Sequence, residues 1–110
     1  MILKPGEVVL VRIDYPQTPA GKIRPCVVLL DAGDDDFVAA PLTSRSRSSP
    51  FDLPIQRWRE AGLNVSSTIR VHKLTVLAKT EIVRRVGRLP ESDWAELVRV
   101  LRRAFCEESG

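Results

Sequence analysis

Three groups of polar residues have the types and spacing to do chemistry. The first is Lys22-Ile23-Arg24-Pro25, which feeds the apolar run Cys26-Val27-Val28-Leu29-Leu30. Pro25 drives the backbone of Arg24 away from helix toward extended geometry. Arg24 is therefore expected at the mouth of a core strand. Held there, it offers a planar fork of donors to a phosphate or a carboxylate. The second group is Thr43-Ser44, two small hydroxyls that open a polar stretch running to Pro50 and containing Arg45 and Arg47. The third is Arg70 with His72. Over residues 67–73 alternation puts Ile69 and Val71 on one face and Thr68, Arg70 and His72 on the other. His72 is the only histidine in the chain, and imidazole is the side chain that titrates near neutral pH.

The elements that must hold these groups follow from patterning and breakers. Residues 7–14 read as a first strand, started by Pro5-Gly6. Residues 15–21 carry Pro16, Pro19 and Gly21 and read as a loop. Residues 25–30 form strand two, a Gly/Asp turn covers residues 31–36, and residues 37–42 form strand three. A hairpin of strands two and three sets Arg24 beside Thr43, although the two are 19 positions apart. Residues 51–55 read as a short strand, 67–73 as another, and 74–78 as its continuation or a bend. Residues 82–89 form a last strand, with Gly87 marking a bulge or a close approach. From Pro90 the chain is helical, with Trp94, Leu97, Val98, Leu101 and Phe105 on one stripe. Five or six short strands and one terminal helix predict a mostly β fold, a small antiparallel SH3-like barrel with a C-terminal α-helix. Such barrels host many functions, so the fold alone decides none.

Composition narrows the classes. The 110 residues suit one domain with a modest core. Lys plus Arg is 17 against 14 for Asp plus Glu, so the net charge of +3 permits an anionic partner without requiring one. Thirteen of the 17 cations are arginine, which favours planar recognition of anions over point charge. Cys26 and Cys106 have no metal-ligand spacing and no CxxC pattern, so a reduced, cytoplasmic protein without a metal or cofactor is expected. No apolar stretch approaches the roughly 20 residues that span a bilayer. Trp94 lies on the core stripe of the helix; Trp58 is expected to pack rather than stack on a base.

Taken together, Pro5-Gly6-Glu7-Val8-Val9-Leu10-Val11, Lys22-Ile23-Arg24-Pro25-Cys26-Val27-Val28-Leu29 and Pro41-Leu42-Thr43-Ser44 resemble the MazF/PemK family of toxin endoribonucleases. Ala61-Gly62-Leu63, Ser67-Thr68-Ile69-Arg70-Val71 and Gly87-Arg88-Leu89 extend the resemblance through nearly the whole chain in order. It implies an SH3-like barrel, a homodimer, a cognate antitoxin protein, and metal-independent cleavage of single-stranded RNA. The family's essential arginine falls on Arg24 and its essential threonine on Thr43. PemK-like members also use an Arg-x-Asp on a strand. Here that pattern reads Arg70-Val71-His72, with histidine at the acidic position, which leaves the general base open.

Metal-free RNA cleavage uses the 2′-OH as an internal nucleophile. It needs a base for that hydroxyl, an acid for the leaving 5′-oxygen, and donors for charge building on phosphorus. Arg24 suits charge stabilisation, because guanidinium is effectively always protonated. Thr43 can hydrogen-bond the phosphate, and His72 can act as base or acid. Ser44, Arg45, Arg47 and Arg70 are the candidate RNA-binding residues. A CcdB-like topoisomerase poison would share the barrel, but it acts through a C-terminal Trp-Gly-Ile pattern where this chain reads Cys106-Glu107-Glu108-Ser109-Gly110. A catalytically inactive RNA- or protein-binding barrel is the other alternative.

Overall fold

β-branched apolar runs in the first third of the chain build the centre of the sheet. The computed structural model describes residues 1–13 and 21–106. The strands are β1 (Glu7–Ile13), β2 (Lys22–Leu30), β3 (Asp36–Thr43), β4 (Asp52–Pro54), β5 (Thr68–Arg70), β6 (Thr75–Ala78) and β7 (Ile82–Arg88). Two 3-10 turns, Val71–Lys73 and Lys79–Glu81, flank β6, and helix α1 (Glu91–Phe105) closes the chain. The strand order is β4-β5-β3-β2-β1-β7, with β6 also paired to β3. Every pairing is antiparallel. The mostly β, barrel-like fold with a C-terminal helix is as expected, although this path of strands does not close on itself.

Both faces of the central strands are buried, which explains why β1 and β2 read as nearly continuous apolar runs. Val8, Val27 and Ala40 join Leu42, Ile69, Val71 and Leu97 in one core beneath α1. Val9, Val11, Cys26, Val28 and Ala39 face the other way, into a second core with Leu3 and Phe37. Arg24 has the same parity as Cys26 and Val28, so it continues the row of the second core to the strand's end.

Three expectations are corrected. β2 begins at Lys22, so Arg24 is the strand's third residue rather than a residue before it. Pro25 sits opposite Leu10 and is tolerated there in extended backbone. The strand expected over residues 67–73 ends at Arg70, and His72 lies in the following 3-10 turn. Arg70 and His72 therefore do not alternate on one strand face. On α1 the buried residues are Asp93, Leu97 and Val100, while Phe105 is 64% exposed. Asp93 accepts the backbone N–H groups of Gln56 (2.8 Å) and Arg57 (3.1 Å), pinning the turn over residues 56–62 to the helix. Trp58 packs against the first core, with the Arg59 guanidinium 4.6 Å over its ring. The loop expected at residues 15–21 lies outside the described residues, except for Gly21.

Candidate functional site

The β2–β3 register decides whether the two strand ends meet. Cys26 pairs with Pro41, and two residues further the same register brings Arg24 level with Thr43. Both line a single cavity of about 520 Å³. Its other walls are Ile13 from β1, Pro41 and Leu42 from β3, Arg45 and Arg47 from the loop after β3, Arg70 from β5, Lys73 from the 3-10 turn and Thr75 from β6. Five of these ten residues are cationic and none is acidic. Such a lining attracts an anion and repels a divalent cation. Ile13, Pro41 and Leu42 supply apolar walls beside these cations.

Each polar group has a local cause for its position. Thr43 Oγ1 accepts the backbone N–H of Arg45 at 3.1 Å, a turn that folds the arginine loop back over the end of β3. Arg24 is exposed and has no ion-pair partner among the described residues. Arg70 differs from it. Its Nε donates to Asp52 Oδ1 at 3.0 Å, across the β4–β5 register that pairs these two residues. The Asp52 side chain is only 1% exposed, and its Oδ2 accepts the N–H of Ser49 at 3.0 Å. Burial alone pushes the Asp52 carboxyl up, but the bonds from Ser49 and Arg70 outweigh it and hold it below its ordinary value. On the other side Arg70 Nη2 lies 3.3 Å from His72 Nε2. Guanidinium has no lone pair to offer, so in this contact Arg70 donates and Nε2 accepts. Phe51 flanks the imidazole, ring centroids 6.2 Å apart. Cys26, two residues from Arg24, is no nucleophile: burial pushes its thiol up to about 12.

Residues 4–105 match the family described as the PemK-like, MazF-like toxin of type II toxin–antitoxin systems. The chain belongs to this family. A curated relative, the probable endoribonuclease MazF of Mycolicibacterium smegmatis, is 28% identical over 85 residues, which cover 74% of this chain and 78% of that protein. Among solved structures, a MazE–MazF structure from Deinococcus radiodurans superposes with a TM-score of 0.79 at 21% identity, covering 98% of this chain and 99% of the other. The Mycobacterium tuberculosis toxin MazF-mt6 superposes with a TM-score of 0.75 at 20% identity, covering 93% and 98%. These structural likenesses establish the fold.

In this PemK/MazF chain, Arg24, Thr43, Arg45, Arg47 and Arg70 line one cavity; of these, the sequence set only Arg24 and Thr43 side by side, through the hairpin. Ser44 is exposed and is not part of the lining, and neither is His72, which touches the site through Arg70. Ile13, Lys73 and Thr75 were not foreseen in the lining. Lys73 had a signal, since it directly follows the Arg70-Val71-His72 pattern. Asp52 had none: only the pairing of two three-residue strands places it against Arg70.

Proposed function

We propose that this chain is the toxin of a type II toxin–antitoxin pair and acts as a metal-independent endoribonuclease on single-stranded RNA. The observation that carries the reading is one acid-free cavity holding Arg24, Thr43, Arg45, Arg47, Arg70 and Lys73. The scissile phosphate sits between Arg24 and Arg70, whose forks take the charge that grows on the phosphorane oxygens. Thr43 fixes the phosphate by its hydroxyl, with its oxygen already engaged by Arg45. Arg45, Arg47 and Lys73 follow the backbone on either side, and Ser44 makes a rim contact. Attack of the 2′-OH leaves a 2′,3′-cyclic phosphate and a 5′-hydroxyl, and the loss of mRNA arrests growth. The relative named as a probable endoribonuclease supports the reaction class. A neighbouring fold solved as an endoribonuclease in complex with its cognate antitoxin supports an antitoxin protein as partner, and charge complementarity makes the basic cavity its target. The working unit is a homodimer in the cytoplasm, which gives so small a barrel a longer groove for the strand.

The test is cleavage of a long mixed-sequence single-stranded RNA by purified protein in excess EDTA, with end-group analysis of the products. Cuts bearing 5′-hydroxyl and 2′,3′-cyclic phosphate ends are expected. Activity that vanishes with EDTA and returns with magnesium would rule the mechanism out.

His72 is the proton-transfer candidate. Its Nε2 accepts from Arg70 Nη2, so the neutral ring carries its proton on Nδ1. His72→Ala is expected to slow cleavage of the RNA in excess EDTA. A variant that cleaves at the wild-type rate would make His72 a bystander.

A further inference from the structure

We propose that Asp52 is a positioning residue for the cleavage reaction, acting through Arg70; this deepens the proposed ribonuclease reading and rests on it. The puzzle is a carboxylate behind a cavity meant for a polyanion. A negative charge there weakens RNA binding, so it must give something in return. The geometry says what. Asp52 is 1% exposed and cannot reach substrate, and its two oxygens are committed to Ser49 N–H and Arg70 Nε. A carboxylate bound at Nε uses the side of the guanidinium. Of the terminal nitrogens, Nη2 makes one contact, to His72, and Nη1 has no partner among the described residues, while Arg70 remains part of the cavity wall. A free arginine samples many rotamers, whereas one clamped at Nε has its plane fixed before the phosphate arrives. The clamp is itself anchored, because Asp52 N–H donates to Ser49 O at 3.1 Å and Asp52 pairs with Arg70 across β4 and β5. Asp52, Arg70 and His72 thus form one chain from the interior to the site.

This role predicts a split that a merely structural carboxylate would not give. Asp52→Asn keeps an oxygen for Arg70 but removes the charge that orders it. The maximal single-turnover rate should drop about tenfold or more. Affinity for the same RNA carrying a 2′-deoxy sugar at the cut, which cannot react, should be unchanged or tighter, because a repelling charge is gone. The probe is a short single-stranded oligonucleotide spanning a mapped cut site, in excess EDTA, with melting curves alongside. Arg70→Lys keeps the cation but has no Nε, and should lose rate to a similar degree. The double variant should be no slower than the slower single one, since both changes break the same link.

An Asp52→Asn protein that cleaves at the wild-type rate overturns the proposal. So do rate losses that multiply in the double variant, or a loss of binding equal to the loss of rate. Should Asp52→Asn fail to fold, Arg70→Lys alone decides: wild-type cleavage by it means the Nε clamp is dispensable. Wild-type protein that cleaves no RNA sinks the ribonuclease reading itself, an outcome distinct from an active wild type with an unimpaired variant.

Discussion

Arg24→Ala is expected to cut RNA cleavage by about 10²–10³-fold, the usual loss when one donor to a developing oxyanion is removed, while leaving the fold intact. The structural reason for the second half is plain. Arg24 is exposed at the end of β2, has no ion-pair partner among the described residues, and its truncation opens no hole in either core. Cys26 and Val28 on the same row stay packed. Arg24→Lys is expected to fail nearly as badly. Lysine restores the charge but not the two parallel N–H groups that span two phosphate oxygens. Arg70, clamped by Asp52, cannot swing over to compensate. The assay is cleavage of the mapped oligonucleotide in excess EDTA, read beside thermal melting. Full activity in Arg24→Ala would show that the cavity is not where the reaction occurs. A melting temperature that falls with activity would make Arg24 a structural residue instead.

The features that could be read from sequence were those encoded by a local rule. Pro25 announces extended backbone, the Gly/Asp turn announces a hairpin, and together they put Arg24 level with Thr43. The terminal helix was legible from its period, and so was Leu97 in the core with Trp94 and Leu101 packed beside it, but the rest of its buried edge was not. Val100 and Asp93 are inside because the helix rests on the 3-10 turn Val71–Lys73 and on the turn over residues 56–62, a tertiary fact. The end of β5 was missed for a similar reason. Alternation runs on through Val71 and His72, yet Val71 donates its N–H to Phe51 O and accepts from Leu74, closing a 3-10 turn at the edge of a three-residue pairing. Alternation in sequence cannot say where a partner strand stops. Asp52 was invisible because nothing in Phe51-Asp52-Leu53 says which residue it will face.

Gly87 was legible as a bulge or a close approach, and both hold. Val8 pairs with Gly87 and Val9 with Arg85, so Val86 is the extra residue of a bulge in β7. A methyl group on Gly87 would lie 2.2 Å from the carbonyl oxygen of Ala61, and one on Gly62, whose φ is +92°, would lie 2.3 Å from that of Val86. Two backbones therefore lie against each other with no room for a Cβ on either. Relief would require one to retreat, and neither is free to. The turn over residues 56–62 is held by Asp93 and by the bond from Leu63 N–H to Trp58 O. β7 is held along β1 and by Arg85 on Glu7, with bonds of 2.8 Å to Oε2 and 2.6 Å to Oε1. Gly87→Ala is therefore expected to cost about 3 kcal/mol, a fall in melting temperature of more than about 10 °C. None of the cavity residues comes from either backbone. Below its melting transition the variant should cleave RNA at close to the wild-type rate per folded molecule. Thermal melting and low-temperature cleavage on one sample separate the two effects. A Gly87→Ala protein that melts within 3 °C of wild type, a margin of about 0.5 kcal/mol, would mean that the turn yields and that the interlock with β7 does not hold this side of the fold.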